Sequence, residues 1–506
     1  MQDDLSVQAP VEPVIYARQD HPISRRHIDR DALKVLYRLK NHGYLAYMVG
    51  GSIRDICLGK EPKDFDVATD ARPEEMRRMF RNCRIIGRRF RLAHVYFHGG
   101  KIIEVSTFRR SVFNMDDDDT ENADEDDETL ESVDSDDDDF DGEDDEPAVE
   151  ARPPDNGPAK NGNGAPCDEN VFGSPCEDAF RRDITINALF YNIADFSIID
   201  YVGGMKDLEK GIVRAVGCPH RSFAEDPVRM IRVLRHASKT RFDIDPKTYD
   251  AIAENAEKIC TCSPARVREE FLRELRGGWS TQSFRLMERT DLLRHLFEDY
   301  RDILSEGEGC ATREHLFRNL EGTDKLINRG EAFADPMLLA AFVSPFVAHA
   351  KVQERAPEGR GRMRFYHNEV REVIKPVVKN FGFSKRHAES ISQAIIGKLA
   401  LDDVTRESEN RGFPKQMLRK NYFLDGYTLF RIECAGDARP VPDYITRAAK
   451  KAMDFRREKS PQLLTYTGQN ANGHAASSRP RRRRRGPRRD DNAPNARRAG
   501  EGGRND

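Results

Sequence analysis

Apolar and polar positions divide the chain into a mixed N-terminal part and a helical remainder. Residues 29–43 follow the helical period and end at Gly43, a usual C-cap. Short apolar or alternating runs then predict elements in the order β, α, β, α, β, β up to Phe108. From Lys206 onward helical periodicity dominates, as in VRMIRVLRHASK and FRLMERTDLLRHLF. The pattern predicts an α/β unit followed by all-helical domains.

Two segments of biased composition depart from these patterns. Residues 115–146 contain 21 Asp and Glu side chains and neither Lys nor Arg, and a Pro-, Asn- and Gly-rich stretch continues to about residue 170. Such a composition buries too little apolar surface to offset the entropy of ordering, so it predicts a disordered loop inserted into the α/β unit. Residues 456–506 are rich in arginine and predict a flexible basic tail.

The net charge of −4 conceals an excess of basic side chains. Without the acidic tract the chain carries 83 basic and 66 acidic side chains, a balance of +17. This excess predicts a polyanionic partner, and nucleic acid is favoured over a membrane because no basic amphipathic helix stands out.

The remaining composition indicates the cellular compartment. The first ten residues have neither the basic flank nor the apolar stretch of a signal peptide, and the longest apolar run, from Met337, is too short to span a bilayer. The nine cysteines are scattered, which favours reduced thiols over disulfides or a zinc site. We therefore expect a cytoplasmic protein.

Asp64 and Asp66 are candidate metal ligands. They stand two residues apart in the predicted strand KDFDVATD, and the period of the pleat places both carboxylates on one face. Mg²⁺ prefers oxygen ligands, and two such ions activate an attacking hydroxyl and stabilise the leaving oxygen of an in-line displacement. A solvated strand face produces the same pattern, so the pair is informative only in its context.

That context is the glycine turn Gly50-Gly51, which joins the preceding predicted strand to a helix. Backbone N–H groups of such a turn meet phosphate oxygens, and Arg54, one turn into the helix, is placed to clamp the same triphosphate. An ordinary strand-to-helix turn is the alternative. A phosphate cradle followed closely by a metal-binding pair is what nucleotidyl transfer needs.

Two further groups extend the candidate site. Glu104, in the predicted strand KIIEVSTF, is either a third carboxylate or an ordinary solvent-facing residue. Arg181, Arg182 and Asp183 open the segment after the insert. The arginines are candidates for phosphate contacts that Asp183 would orient, and a surface charge cluster is the alternative.

A predicted helix that begins with EDPVR carries the last candidates. Arg229, Arg232 and Arg235 recur every three residues, a spacing that places them on one side of the helix. A carboxylate such as Asp226 and an arginine held together present acceptor and donor to a base edge, while other arginines contact phosphates. A salt-bridged solvent face is the alternative.

Taken in order, YMVGGSIRDICLGKEPKDFDVAT, RRDITINALFYN, DYVGGMKDL and EDPVRMIRVLRHASK resemble the class II nucleotidyltransferases, the family of bacterial poly(A) polymerases and of CCA-adding enzymes. The resemblance covers about residues 35–275. It implies an α/β nucleotidyltransferase head with a mixed five-stranded sheet and helices, followed by all-α neck, body and tail domains.

The resemblance also implies roles for the candidate residues. Asp64 and Asp66 would bind the catalytic metals, and Asp183 would be the aspartate of the RRD motif, which is often counted among the catalytic residues. The residues implied at the nucleotide are Gly51, Arg54, Arg182, Arg232 and Arg235, with Asp226 and Arg229 reading the base edge.

The leading hypothesis is template-independent addition of AMP from ATP to RNA 3′ ends, with two Mg²⁺ ions, or Mn²⁺, as cofactors. Residues 82–97, NCRIIGRRFRLAHVYF, resemble the poly(A) polymerase version of a flexible segment. CCA addition to tRNA is the alternative within the family, and a non-catalytic RNA-binding adaptor is the alternative from another class. We expect a monomer whose partners are RNA 3′ ends, ATP and RNA-degradation machinery.

The expected domain boundaries follow from these patterns and from the resemblance. They are a flexible leader at 1–26, the nucleotidyltransferase head at 27–205 with the insert at 115–170, a helical neck for nucleotide and base recognition at 206–275, a helical body and RNA-binding region at 276–455, and the arginine-rich tail at 456–506.

Overall fold

The computed structural model describes residues 12–87, 91–110, 172–305, 311–407 and 413–459. The acidic insert, most of the arginine-rich tail and residues 88–90 of the basic segment lie outside these ranges. The chain divides into two compact units, Met1–Ala452 and Met453–Asp506. Within the second unit the structure describes residues 453–459 alone, and they are helical.

An α/β unit occupies the N-terminal part of the chain. Its elements are β1 (Val14–Tyr16), α1 (Arg30–Asn41), β2 (Ala46–Val49), α2 (Gly51–Cys57), β3 (Asp66–Thr69), α3 (Pro73–Met79), β4 (Cys83–Ile86), β5 (Leu92–Phe97), β6 (Lys101–Thr107), α4 (Pro175–Arg181), β7 (Leu189–Asn192) and β8 (Ile198–Asp200).

These strands form one mixed sheet in the order β1-β8-β7-β2-β3-β6-β5-β4. The pairing of β3 with β6 is parallel, and the other pairings are antiparallel. The mixed sheet is confirmed, but the described residues contribute eight strands rather than the expected five. Strands β1 and β8 have only three residues each, too few for a visible alternation.

The predicted flexible leader is partly ordered. Val14–Tyr16 pairs with β8 at the edge of the sheet, with Ile15 opposite Ile199. The buried ring of His21 is fixed by a 2.9 Å hydrogen bond between its Nε2 and the carbonyl oxygen of Phe196. The prediction of a loose leader was therefore wrong for these residues, because backbone pairing supplies an order that composition does not reveal.

The two faces of the sheet bury different sets of side chains. Met48, Val67 and Val105 belong to the large core, which α1 covers with the apolar stripe of an amphipathic helix. Tyr47, Ala68 and four further side chains form a smaller cluster, Val49, Phe108, Ala179 and Phe190. The small cluster marks the face of the sheet on which the candidate site lies.

The chain leaves and re-enters the sheet at one place. Beyond β6, the backbone N–H of Gly173 donates to the carbonyl of Phe108 at 2.9 Å, and Arg109 forms an antiparallel bridge with Phe172. A Cβ at Gly173 would lie 2.8 Å from the backbone nitrogen of Arg110, so only glycine permits this approach. The two ends of the segment 111–171 are therefore side by side.

The rest of the described chain is helical, as predicted, except for two short strands. The elements are α5 (Gly204–Lys210), β9 (Ile212–Val213), α6 (Pro219–Glu225), α7 (Val228–Thr240), β10 (Asp243–Ile244), α8 (Pro246–Asn255), α9 (Pro264–Arg276), α10 (Ser280–Arg289), α11 (Leu292–Leu296), α12 (Arg301–Ser305), α13 (Ala311–Ile327), α14 (Asp335–His349), α15 (Arg362–Asn380), α16 (Lys385–Glu407), α17 (Lys415–Leu418), α18 (Asn421–Gly436) and α19 (Asp443–Lys459).

Two findings correct the predicted boundaries in this region. Strands β9 and β10 pair in parallel, although the sequence from Lys206 onward predicted helices alone; a two-residue strand carries no periodic signal. Helix α19 continues to Lys459, beyond the predicted start of the tail at residue 456, because its helical period extends through MDFRREK.

Close helix packing orders the C-terminal part of the first unit. Helices α16 and α18 meet at Gly397 and Gly426, where a Cβ on Gly397 would lie 1.9 Å from the carbonyl oxygen of Tyr422. Within the described ranges, no helix is both long enough and apolar enough to cross a bilayer. The seven cysteines of these ranges are free thiols.

Candidate active site

Asp64 and Asp66 lie where the chain enters β3. Asp66 is the first residue of the strand, whereas Asp64 precedes it, so the prediction that both lie within a strand was wrong for Asp64. Their neighbours still alternate, because Phe65 and Val67 pack into the large core and Ala68 belongs to the small cluster. The side chain of Asp66 therefore lies on the face of the small cluster.

The surroundings of Asp66 disfavour the ionised form of its carboxylate. Burial raises its pKa to about 6, the negative charges of Glu104 and Asp64 add to the rise, and Arg182 opposes it. Two neighbouring carboxylates thus act on the charge of Asp66, and a nearby cation would favour its ionised form.

Glu104, like Asp64, is exposed, whereas Asp66 is half-buried. Glu104 lies on β6, which runs parallel to β3 with Val105 opposite Val67. Its Oε1 is 3.6 Å from Nε2 of His94 on β5. Across the described ranges, no group of three or more His, Cys, Asp or Glu side chains could hold a metal ion. The role of Glu104 as a third carboxylate stays a prediction, and its charge acts on Asp66.

The turn between β2 and α2 brings a glycine to these carboxylates. Gly50 has φ 75° and ψ −138°, a backbone conformation that residues other than glycine rarely adopt. A Cβ at this position would lie 3.6 Å from Nη1 of Arg182 and 3.7 Å from Oδ2 of Asp66. Gly50, Asp66 and Arg182 therefore face one small space from three separate elements.

Arg54 lies beside the second glycine of the turn, because a Cβ at Gly51 would be 3.2 Å from its Nη2. The side chain is buried, its Nε donates to Oδ1 of Asp55 at 2.8 Å, and its Nη1 donates to Oδ1 of Asn187 at 2.6 Å. The same Nη1 is 3.2 Å from Nδ1 of His236 on α7. Arg54 therefore links α2 to α7, and the expected bidentate clamp on a triphosphate would require these contacts to break.

Arg182 is positioned by the helix that precedes it. Its Nη2 and Nε donate to Oδ2 of Asp178 at 2.9 and 3.2 Å, and its guanidinium lies 5.4 Å from the ring centre of Phe190. Asp178 is itself buried. A cation held this way beside Gly50 is oriented before any ligand arrives.

Asp183 pairs with the helical region rather than with the neighbouring arginines. Its Oδ1 accepts from the backbone N–H of Ile184 at 2.9 Å, and its Oδ2 is 3.0 Å from Nε of Arg232 on α7. Burial alone would raise the pKa of Asp183, but the charges of Arg232 and His236 hold it below its usual value. The prediction that Asp183 orients the arginines of the RRD motif was therefore wrong in this conformation.

Asp226 and Arg229 lie together at the start of α7. Oδ2 of Asp226 is 3.9 Å from Nε of Arg229 and accepts from Nη2 of Arg266 at 2.9 Å. Arg229 also donates to Oγ of Ser222 at 2.8 Å and to the carbonyl of Arg181 at 3.2 Å. Oδ1 of Asp226 is buried and accepts no hydrogen bond from a described residue. The pair thus has one uncommitted acceptor held in place by arginines.

The three arginines of α7 do not share one side of the helix. Residues three apart are rotated by about 300°, so each step drifts by about 60°. Arg229 faces α6, Arg232 faces Asp183, and Arg235 is buried against Glu270 of α9. The spacing argument was wrong for Arg235, which is buried between α7 and α9.

Sequence reasoning missed three residues that hold the site together. Asp178 anchors Arg182, and its position four residues earlier on a helix was a usable signal. Asn187 and His236 join Arg54, and His236 Nε2 is 3.2 Å from Nδ2 of Asn187. Burial lowers the pKa of His236 well below its usual value, although Asp183 acts in the opposite direction. Nothing in the sequence signals that contact, because the residues are far apart along the chain.

Known proteins resemble this chain in sequence. The sequence model of the Poly A polymerase head domain matches residues 46–214, and the model described as the probable RNA and SrmB-binding site of polymerase A matches residues 241–304. Poly(A) polymerase I of Salmonella typhimurium is 40% identical over 336 residues, which are 66% of this chain and 64% of that protein. The match thus spans a little less than two thirds of that relative.

CCA-adding enzymes are also related. The CCA-adding enzyme of Bacillus subtilis is 30% identical over 324 residues, 62% of this chain and 68% of that protein. The crystal structure of the Bacillus stearothermophilus CCA-adding enzyme in complex with CTP matches with a TM-score of 0.51 at 21% identity, over 88% of this chain and 89% of that one. The fold is that of a nucleotidyltransferase. The chain belongs to the family of poly(A) polymerases and CCA-adding enzymes.

Proposed function

We propose that the chain is a poly(A) polymerase, which adds AMP from ATP to RNA 3′ ends without a template and releases pyrophosphate. The observation that carries the proposal is the convergence of Gly50, Asp66 and Arg182 on one space. Identity favours poly(A) addition over CCA addition, at 40% against 33% for the CCA-adding enzyme of Lactobacillus helveticus.

The metal chemistry follows from the donor set. Asp64 and Asp66 offer hard oxygen ligands, and the raised pKa of Asp66 marks a carboxylate that gains from a cation beside it. These two residues would hold Mg²⁺ or Mn²⁺, which in such sites activates the attacking hydroxyl and stabilises the leaving oxygen. Glu104 would add a third carboxylate, either as a further ligand or as a charge that raises the affinity for the cation.

The nucleotide would be held by groups that already face the site. Backbone N–H groups of the Gly50-Gly51 turn and the guanidinium of Arg182 would contact phosphate oxygens. Asp226 would accept a hydrogen bond from the base through its uncommitted Oδ1, and Arg229 would donate to the base edge. Arg232 is partly exposed and would contact phosphate from its place beside Asp183. Arg54 and Arg235 would act by positioning α2 and α7.

A nucleotide-incorporation assay tests the proposal. Purified protein is offered an RNA primer with each nucleoside triphosphate in turn, and separately a tRNA lacking its terminal triplet with CTP and ATP. We expect long tracts of AMP on the primer. Addition of two C residues and one A to the tRNA alone would instead establish CCA addition, and RNA binding without incorporation would establish the adaptor.

Asp66→Asn is the informative variant, and Asp70→Asn is its matched control. Both lie on the same segment, but Asp70 is exposed beyond the end of β3 and accepts a hydrogen bond from the N–H of Leu45 at 2.7 Å, which an amide oxygen also accepts. Incorporation should disappear in the first variant and persist in the second. Equal incorporation of AMP by the two variants would contradict the assignment of Asp66 as a metal ligand.

The remaining parts of the proposal concern the surroundings of the enzyme. We propose a cytoplasmic monomer that meets RNA-degradation machinery through its substrate RNAs. Light scattering of the purified full chain checks the oligomeric state, and a stable dimer at assay concentration would contradict it.

A further inference from the structure

One face of the large sheet is left uncovered, by the described part of the chain, beside the candidate active site. Along β4, β5 and β6 buried side chains alternate with more exposed ones. The buried set, which includes Val95 and Val105, packs in the large core. The other set forms what we call the open face, defined by Arg84, Ile86, His94, Tyr96, Ile102 and Glu104.

The open face is continuous with the candidate metal ligands. Strands β3 and β6 are paired in parallel, and one step back along both from Val67 and Val105 brings Glu104 beside Asp66 on the same face. Glu104 lies opposite His94, and His94 lies opposite the side chain of the next strand, on β4. The open face therefore extends from Asp66 over three strand spacings, roughly 14 Å at about 4.8 Å each.

The side chains of the open face suit an unpaired base. The ring centres of His94 and Tyr96 are 6.4 Å apart, and the guanidinium of Arg84 lies 5.7 Å from the ring centre of Tyr96. Ile102 pairs with Tyr96 across the strands, and both Ile102 and Ile86 are large apolar side chains that remain exposed. Rings presented on a sheet stack with the unpaired bases of single-stranded RNA. Since the face carries one arginine and one glutamate, stacking rather than net charge would supply the affinity.

The opposite flank of Asp66 holds the groups proposed to bind the triphosphate. The Gly50 turn follows β2, Arg182 reaches the same space, and Ala179 of α4 packs with Phe190 over the sheet beyond them. Strands β2 and β6 lie on opposite sides of β3. In phosphoryl transfer the attacking and leaving oxygens lie roughly in line, on opposite sides of the phosphorus. With the pyrophosphate on the β2 side, the attacking hydroxyl must therefore approach from the β6 side.

We propose that the open face binds the last nucleotides of the RNA primer, with one base stacked on Tyr96 and the terminal 3′-hydroxyl at Asp64 and Asp66. The inference rests on the proposed function, because the direction of approach follows from in-line attack on the nucleotide. It concerns residues 84–104, which lie outside the segment 241–304 that the RNA-binding model matches. A protein docked on the exposed isoleucines is the competing outcome.

Photo-crosslinking tests the position of the RNA directly. Oligoadenylate with a photoreactive thiouridine as its penultimate nucleotide is bound to the full chain without ATP and irradiated, and the cross-linked tryptic peptides are identified by mass spectrometry. The peptide of residues 92–101, which contains His94 and Tyr96, should carry the RNA. Excess unmodified oligoadenylate should suppress this product. Cross-links confined to peptides outside the open face would overturn the proposal.

Substitution of Tyr96 measures the contribution of stacking. Tyr96→Thr removes the ring and keeps a residue that suits a strand. RNA affinity should fall by roughly 5- to 150-fold, the value of one stacked base. The salt dependence of binding should stay the same, because no phosphate contact is lost. Tyr96→Phe keeps the ring and should restore the affinity. Unchanged RNA affinity in Tyr96→Thr would refute the assignment.

A matched pair of isoleucines separates RNA binding from folding. Ile102 on β6 and Ile15 on β1 are both exposed on the same sheet, and β1 is the edge farthest from β4. Ile102→Thr and Ile15→Thr should therefore unfold at similar urea concentrations, whereas only Ile102→Thr should bind RNA more weakly. Equal RNA affinity in the two variants would contradict the proposal and leave the open face to a protein partner.

Kinetics distinguish this inference from the proposed function. Tyr96→Thr should raise the KM for RNA, while the KM for ATP and the kcat at saturating RNA stay close to those of the wild type, because the triphosphate is held on the other flank. If the wild-type protein cross-links through residues 92–101 but incorporates no AMP, the proposed function fails and the open face remains an RNA site. If Tyr96→Thr adds AMP with an unchanged KM for RNA, this inference fails and the proposed function stands.

Discussion

Replacing Asp66 with asparagine should stabilise the metal-free protein while it abolishes transfer. The pKa of Asp66 rises from an ordinary 3.8 to about 6, because burial disfavours the charged form and Glu104 and Asp64 repel it. At about 1.4 kcal/mol per pKa unit, the ionised carboxylate costs the fold at most about 3 kcal/mol. The partial exposure of Asp66 weakens this electrostatic cost. We therefore expect Asp66→Asn to raise the free energy of unfolding by about 1–3 kcal/mol.

The pH dependence of that gain has a definite sign. A raised pKa means that the folded state holds its proton more tightly than the unfolded chain, so stability is lost as pH rises from the unfolded to the folded pKa. The advantage of Asp66→Asn should thus be absent below about pH 4 and complete above about pH 6. Urea unfolding of both proteins at each pH, in the presence of a chelator, measures this difference in the free energy of unfolding.

The matched control is Asp64→Asn. Asp64→Asn removes a proposed metal ligand, so it should also stop transfer. Because Asp64 is exposed, the replacement should leave the free energy of unfolding nearly unchanged. An Asp66→Asn protein that is no more stable than the wild type near pH 8, or a gain that persists in acid, would refute the electrostatic account. Added Mg²⁺ should narrow the difference, because the cation binds the folded wild-type protein and not the variant.

Four further predictions follow from other parts of the chain. Gly50→Ala should lose transfer and about 1–3 kcal/mol of stability, since φ is 75° there, and retained activity would contradict the need for that turn. Arg232→Ala should destabilise the fold by about 3 kcal/mol near neutral pH, because it removes the cation that pairs with the buried carboxylate of Asp183. This loss of stability should shrink in acid as the carboxylate takes up a proton. Deleting the tail after about residue 465 should weaken RNA binding and flatten its salt dependence, and deleting residues 115–146 should tighten RNA binding most at low salt; superimposable binding curves would leave both segments without a role.

The sequence predicted the elements of the site better than their contacts. Gly50 at a turn, Asp66 at a strand and Asp226 before a helix follow from local patterns, since each pattern spans only a few residues. The convergence of Gly50, Asp66 and Arg182 depends on sheet order, because β2 lies between β3 and β7. Strand order is not encoded in any single segment, so the sequence alone could not establish it.

Arginines were the least predictable residues. Arg54 and Arg235 share with Arg182 the charge and spacing expected of phosphate ligands, yet both are buried in contacts between helices. A guanidinium binds a carboxylate, a carbonyl or a phosphate with the same donors, so only the surrounding fold decides which one it meets. The same limit explains why Asp183 pairs with α7 and not with its neighbours.

The paired ends of the segment 111–171 have a consequence for protein engineering. Because Gly173 bonds to Phe108 and Arg109 bridges Phe172, the two ends of the segment are held together by contacts outside it. Closure entropy grows only with the logarithm of length, so a tenfold longer connection costs about 2 kcal/mol. This junction is therefore a place where a fluorescent protein or an affinity module can be spliced in, or the natural segment replaced by a short linker, while the strands on either side keep their register.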